Sequence, residues 1–323
     1  MSSTGTKKNR MLEIFFRAMR GESISVKVLA DEYGVSPKSI SRDVSEIKNF
    51  LCENRELVDN SDFKYSPTSK SYSLELKNFL LSKELNAIIK MMIGCRAFSR
   101  GEILNIINKL QTFTTQSDRQ VLKQVIKKEL YHYNGVKSDC DSVINHLWLL
   151  TRCIYEHSEI TVSYYKISRE RVSRRLRPVA IMYSDFYFYL IAYRCDDANW
   201  EPLYYRVDRI VDITEHREHF ELSKEHDFDE GELRNKIQFM FPGISRNIRI
   251  EYTGESVQAI LDNIPTARII GQNGKTYVIE ADTYGVGVNM FLLSQGSRVR
   301  AIYPPEFVEE MKQEVENMMS LYK

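Results

Sequence analysis

The chain has 323 residues, with 45 lysines and arginines against 44 aspartates and glutamates, a formal net charge of +1. That length predicts two or three domains, and the near balance of charge leaves any polyanion binding to local clusters. The five cysteines (Cys52, Cys95, Cys140, Cys153, Cys195) form no C-x-x-C pair, which argues against thiolate zinc and for a reducing, cytoplasmic compartment. Met1 to Arg10 lacks the apolar run of a signal peptide, and no window approaches about 18 unbroken apolar residues, so no membrane span is expected.

Residues 1–8 read as a flexible arm carrying Lys7 and Lys8. From Arg10 to Met19, Met11, Ile14, Phe15 and Ala18 recur at helical spacing, and Gly21 ends the run. A second helix is predicted from Val26 to Tyr33, with Val28 and Leu29 inward and Gly34 as its stop. Ser36 then suits an N-cap and Pro37 the first turn of a third helix, which runs to about Cys52. Its apolar stripe is Ile40, Val44, Ile47 and Leu51; Lys38, Ser39, Ser41, Arg42, Ser45 and Lys48 lie off it. Two short helices, a glycine turn and a third helix with small polar residues make a helix-turn-helix pattern. Small hydroxyls let such a helix seat in a major groove, while Lys38 and Arg42 reach phosphates or guanine edges. Leu57-Val58, Phe63-Lys64-Tyr65 and Ser71 to Leu74 read as a hairpin, or wing, with Lys64 and Lys70 near the DNA backbone. The candidate DNA contacts are therefore Ser36, Lys38, Ser39, Ser41, Arg42, Lys7, Lys8, Lys64 and Lys70. Val35 to Val44 resembles the recognition helix of DeoR-type winged-helix regulators.

From Ser82 to Gly135 the pattern is helical, with stripes Leu85-Ile88-Ile89-Met92, Ile103-Ile106-Ile107-Leu110 and Val121-Leu122-Val125-Ile126. No chemical motif appears there, and the segment reads as a helical bridge. A helix from about Cys140 to Glu156 follows, with Trp148 and Tyr155 expected to pack on the β region beyond it.

That region opens with the alternation Ile160, Val162, Tyr164 on one face. A cationic cluster follows: Lys166, Arg169, Arg171, Arg174, Arg175 and Arg177 against Glu170. Phe186 to Tyr193 is a dense aromatic strand. Period two puts Phe186, Phe188, Leu190 and Ala192 on a core face and Tyr187, Tyr189 and Tyr193 on the other. Tyr204 to Ile210 closes the stretch. Guanidinium forks pair with phosphate oxygens and phenol rings stack on bases, so this is chemistry for flat anionic groups. Arg206 and Arg209 sit three apart and share a pocket only if the chain bends between them. Arg206 is the favoured contact of the two, and Asp208 reads as the partner of a neighbouring arginine.

Pro178 after an arginine-rich strand, the triplet Phe188-Tyr189-Leu190, and Tyr205-Arg206-Val207-Asp208-Arg209-Ile210 together resemble the core of a WYL domain. Phe188 stands where the name-giving tryptophan is usual, and Leu203 where an arginine is often found. The resemblance implies a small Sm-like β-barrel in a bacterial transcription regulator that places two copies on a pseudo-palindromic operator. It also implies a nucleic-acid or nucleotide-like effector, single-stranded DNA included. The candidate effector contacts are Tyr164, Arg175, Arg177, Tyr187, Tyr189, Arg206 and Arg209.

Phe220 to Gly243 reads as a connector, with Asp227, Asp229, Glu230 and Glu232 opening a helix and Pro242-Gly243 as a stop. Strands are predicted at Ile248–Tyr252, Arg268–Ile270, Thr276–Glu280 and Val299–Ile302. The middle two are joined by the Asn273-Gly274 hairpin signal. Helices are predicted at Ser256–Asn263, Val288–Leu293 and Pro305–Tyr322. This module resembles the ferredoxin-like extension that often follows WYL domains, with Phe291 in place of its usual tryptophan.

The fold expected is thus α+β and multidomain: a winged helix-turn-helix (1–78), a helical bridge (79–139), an Sm-like barrel (140–225), and a connector with a ferredoxin-like module (226–323). Gly274-Lys275-Thr276 is no P-loop, because Ile269 stands where the first glycine belongs. His216 and His219 have metal-compatible spacing, with His226 nearby, but no acid or cysteine completes a set, so no metal is expected. With no G-x-S-x-G elbow or cysteine–histidine pair, neither an enzyme nor a cofactor is expected. The function expected is a ligand-responsive, homodimeric DNA-binding regulator, repressor or activator. The rival reading is an RNA- or single-strand-binding accessory factor that reads no promoter.

Overall fold

The architecture is that of a computed structural model, which describes residues 7–55, 62–75, 80–166, 168–223 and 228–323. The chain divides into two units, Met1–Gly135 and Val136–Lys323. In the first, α1 (Lys7–Met19), α2 (Val26–Tyr33) and α3 (Pro37–Glu53) pack around Ile14, Ala18, Leu29, Ala30, Ile40, Val44 and Ile47. Truncating any one of these isoleucines to alanine costs about 2–5 kcal/mol by lost burial and an unfilled cavity. Gly34 ends α2 in the left-handed region (φ 65) and returns its N–H to the Ala30 carbonyl, the glycine stop that its lack of a Cβ makes cheap. Ser36 caps α3 by accepting the Ser39 N–H at 3.2 Å, with Pro37 in the first turn.

Two expectations here change. Lys7 and Lys8 belong to α1 rather than to an arm, and Lys7 pairs with Glu46 of α3. Val28 is exposed, because the stripe α2 buries is Val26, Leu29, Ala30 and Tyr33, spaced i, i+3, i+4 and i+7. An unforeseen ion pair also sits in this core: Asp43, 1 % exposed, accepts from Arg10 Nε at 2.6 Å.

Strands β1 (Asp62–Ser66) and β2 (Ser71–Glu75) form an antiparallel hairpin that drives Phe63 into the same core, and Ile24 adds a one-residue bridge to Tyr72. Leu57 and Val58 lie outside the described residues. Helices α4 (Ser82–Cys95), α5 (Arg100–Leu110) and α6 (Gln116–Tyr131) share a separate core of Ile89, Ile93, Ile103, Ile107, Ile126 and Tyr133. Ser99 and Glu102 form a capping box at α5. On α6 the inward stripe is Leu122 and Ile126, four apart, whereas Val121 and Val125 are exposed.

The second unit opens with α7 (Val143–Glu156), which starts after Cys140 because Ser142 takes the N-cap and accepts the Asn145 N–H. Strands β3 (Ser158–Tyr165), β4 (Arg171–Ser184), β5 (Tyr187–Arg194), β6 (Leu203–Arg206) and β7 (Ile210–His219) form one antiparallel sheet in the order β6-β5-β4-β3-β7. Among the described residues no pairing joins β6 to β7, so the expected barrel is an open sheet. A 3₁₀ turn, Val207–Arg209, stands between those two strands, and register shifts in β3 and β4 supply bulges that curve the sheet. Helix α7 buries Val143, Leu150 and Cys153 against Ile160, Val162, Leu176 and Leu190. Trp148 and Tyr155 lie off that stripe, at 73 % and 86 % exposure, and do not pack on the sheet.

Helix α8 (Glu230–Lys236), capped by Asp229, brings Leu233, Ile237 and Met240 against Ala180, Met182 and Ile191. Strand β5 therefore buries both faces, including part of the one assigned to Tyr187, Tyr189 and Tyr193: Tyr193 is 4 % exposed and packs on Trp200. Asp227 lies outside the described residues.

The chain ends with β8 (Ser245–Tyr252), α9 (Gln258–Asn263), β9 (Arg268–Asn273), β10 (Thr276–Tyr284), α10 (Gly287–Leu293), β11 (Val299–Tyr303) and α11 (Pro305–Ser320). The β-α-β-β-α-β order with the sheet β11-β8-β10-β9 is the split βαβ arrangement. Gly274 turns the β9–β10 hairpin at φ 58. No helix among the described residues is long and apolar enough to cross a membrane.

Candidate functional site

Pairing of β5 with β6 sets Tyr189 directly opposite Arg206. The 3₁₀ turn that follows buries Val207 and Asp208 and rotates the chain. Arg206 and Arg209, which would face opposite sides of a flat strand, thereby line one cavity. It has a volume of about 660 Å³, and its walls are Tyr164 and Tyr165 of β3, Lys166, Ser168, Tyr189, Leu203 to Arg206, Arg209, and the segment Phe239 to Pro242.

That last wall is a strained loop. Phe239 (φ 56) and Met240 (φ 52) are successive non-glycine residues in the left-handed region, which costs about 1–2 kcal/mol each. Burial of Met240 against β4 and β5 offsets part of that cost. Two glycines let the loop sit close to neighbouring backbone. A Cβ on Gly285 would stand 2.2 Å from the Phe241 carbonyl oxygen, and one on Gly287 1.8 Å from that of Gln238. The sequence reads Phe239-Met240-Phe241 only as a connector; Pro242-Gly243 and the distant Gly285-x-Gly287 are the faint signal of a seated loop.

The electrostatics separate the two arginines. Arg206 forms a fork on Asp208, Nε to Oδ1 at 3.1 Å and Nη2 to Oδ2 at 2.7 Å, and its guanidinium lies 3.4 Å over the Tyr187 ring. Asp208 is the partner expected for a neighbouring arginine, and it largely cancels the Arg206 charge. Lys166 is likewise paired, with Glu170 at 2.9 Å. Arg209 is half-buried and has no carboxylate partner among the described residues. It is the uncompensated cation of the cleft, where the sequence favours Arg206.

Burial raises the pKa of the Tyr189 phenol above its ordinary value, with the Arg206 charge pulling the other way. Burial, then Tyr164, raises that of Tyr205. Both phenols are neutral at physiological pH. Tyr164 and Tyr205 meet edge to face at 5.1 Å. One free guanidinium, neutral phenols and ring faces with an apolar far wall can hold a flat anion.

The other predicted residues fall elsewhere. Tyr187 lies under Arg206 rather than in the cavity wall. Arg175 and Arg177 are outside it too: Glu159 accepts from Arg175 Nε at 2.7 Å and Arg177 Nε at 3.3 Å, and Arg177 stacks over Trp200 at 4.5 Å. In the N-terminal set, Lys38 and Arg42 are exposed, four residues apart on α3, with no carboxylate partner among the described residues. Ser36 and Ser39 share an Oγ–Oγ hydrogen bond of 3.0 Å, and Ser41 is half-buried. Lys8 is exposed beside Met11, Leu12 and Phe15; Lys64 and Lys70 are exposed on the hairpin, Lys70 at φ 49. His216 meets Thr161 Oγ1 at 2.7 Å and His219 meets the Glu156 carbonyl at 2.8 Å; His226 lies outside the described residues.

Residues 145–215 match the family model of the WYL domain. The chain contains a WYL domain. Its matched stretch includes Tyr164, Tyr189, Arg206 and Arg209, whereas the Phe239 to Pro242 wall lies beyond it. No curated protein matches the chain. Among solved structures, the chain is similar to proteasome accessory factor B/C (PafBC) of Arthrobacter aurescens, at 16 % identity and a TM-score of 0.32. That alignment covers 98 % of this chain and 48 % of the PafBC chain, so this chain spans about half of PafBC's length. It is also similar to a CRISPR Cas-related protein, at 14 % identity and a TM-score of 0.37, over 100 % of this chain and 87 % of that one.

Proposed function

We propose that the chain is a DNA-binding transcription regulator whose WYL cleft takes a nucleotide-like or single-stranded nucleic-acid effector. The observation that carries the reading is the cleft itself: Arg209, with no carboxylate partner among the described residues, beside Tyr164, Tyr189 and Tyr205 in a cavity of about 660 Å³. A guanidinium supplies a fork for phosphate, and ring faces supply stacking for bases. The DNA-reading half is the three-helix-and-hairpin unit acting as a winged helix-turn-helix. Its support is α3, where Lys38 and Arg42 project from one exposed face behind the Ser36 cap. Two copies on a pseudo-palindromic operator complete the reading.

Selection of duplex sites by the purified chain, followed by footprinting upstream of its own gene, tests it. A protected duplex supports the regulator; single-strand binding with no protected duplex favours the accessory-factor reading. Arg42→Ala is expected to weaken duplex binding and to reduce the salt slope by about one. An unchanged slope and affinity remove Arg42 from the interface.

A further inference from the structure

A second concavity lies within the N-terminal unit, between α5 and α6, with a volume of about 290 Å³. Its walls include Arg100 from α5, Lys123 and Lys127 from α6, and the apolar side chains of Ile107 and Ile126. Among the described residues no acidic side chain lines it. Lys123 and Lys127 are four apart on one helix face, where like charges repel by a few tenths of a kcal/mol. Neither has a carboxylate partner among the described residues, although Lys90 and Glu129 nearby do pair. Among the described residues Arg100 donates to the carbonyls of Tyr131 (3.4 Å) and Tyr133 (3.3 Å), which orient its guanidinium without cancelling its charge.

A neutral polar side chain lies beside these cations. Gln111 lines this concavity and is 2 % exposed. Its backbone carbonyl is used by Arg119 at 2.9 Å, but its side-chain amide makes no hydrogen bond among the described residues. The amide borders the open concavity and is available there as a hydrogen-bonding edge for a bound group.

We propose that this concavity is a second binding site, for a small organic phosphate with a flat or apolar part. Three cations meet the phosphate, the Gln111 amide meets a polar edge, and Ile107 and Ile126 floor the remainder. The volume lies just under the usual range of ligand pockets, about 300–1,000 Å³, which suits a mononucleotide but little more. The site is independent of the WYL cleft.

The test is isothermal titration calorimetry of the full chain carrying Arg209→Gln, which weakens binding in the cleft, with adenosine 5′-monophosphate, inorganic phosphate and adenosine as probes. The monophosphate is expected to bind at one site more tightly than inorganic phosphate, with adenosine silent. Lys123→Gln with Lys127→Gln should weaken it by about tenfold or more, the worth of one lost charge-assisted hydrogen bond. Gln111→Leu, which keeps the fold as read by circular dichroism, should also weaken it. Absence of phosphate-dependent binding, or affinity unchanged in the double-lysine variant, overturns the proposal. So does a double-lysine variant that loses duplex DNA affinity while binding the monophosphate as before, since the lysines would then face a nucleic-acid backbone.

Discussion

Arg209→Gln and Arg206→Gln are expected to fail in different ways, although both side chains line the same cleft. Arg209 has no carboxylate partner among the described residues, so its substitution removes the cleft's free cation and little else. One hydrogen bond to a charged group is worth about 1.5–3 kcal/mol, or roughly tenfold to a hundredfold in affinity. Arg206 already spends its fork on Asp208, whose side chain is 7 % exposed. Arg206→Gln leaves that carboxylate buried and unpaired, which costs about 3 kcal/mol of stability. For a folded unit of this size that lowers the melting temperature by about 6–12 °C. Arg206→Gln with Asp208→Asn should recover much of that loss, since both charges are then gone. Fluorescence anisotropy with a short 5′-phosphorylated single-stranded oligonucleotide reads the first effect, and scanning fluorimetry the second. Loss of binding in Arg206→Gln at an unchanged melting temperature, with Arg209→Gln binding as wild type, would refute this division of roles.

Gly285→Ala places a Cβ 2.2 Å from the Phe241 carbonyl at a backbone φ of +74, so it should cost about 2 kcal/mol or more. It should also displace the Phe239–Pro242 wall, lowering both melting temperature and oligonucleotide affinity; wild-type values for both would show that the loop is not seated by that glycine. Burial holds the His146 imidazole below its ordinary pKa of 6.5, against the pull of Asp212 and Asp141. The unfolded chain therefore takes up a proton near pH 6.5 that the folded chain refuses, and stability falls as pH drops through that value. Urea midpoints from pH 8 to 5 should decline less steeply in His146→Gln than in wild type, and equal slopes would sink the assignment.

Much of the fold was legible because its signals are local. The Gly34 stop, the Ser36-Pro37 start and the Ile40-Val44-Ile47-Leu51 stripe are matched residue for residue, as is the Asn273-Gly274 hairpin. Faces were harder to read where a strand or helix has neighbours on both sides. Trp148 and Tyr155, expected to pack on the sheet, are exposed, and Tyr193, assigned to the face opposite the core residues, is buried beside Trp200. The cleft was half legible: Tyr164, Tyr189, Arg206 and Arg209 are brought together as expected, but only through a 3₁₀ turn that period-two counting does not contain. Ion pairing withdrew Arg175 and Arg177, because Glu159, sixteen and eighteen residues earlier, accepts from both. The concavity between α5 and α6 had no motif at all, since its cations come from two helices and meet only after folding.

The most direct measurement is the affinity of the full chain for a selected duplex site, with and without a saturating 5′-phosphorylated oligonucleotide in the cleft. Coupling between two such sites is typically worth 1–3 kcal/mol, about 5- to 150-fold. The account predicts a shift in that range for the wild-type chain and none for Arg209→Gln at the same oligonucleotide concentration. A duplex affinity that does not move while the cleft is demonstrably filled would contradict it.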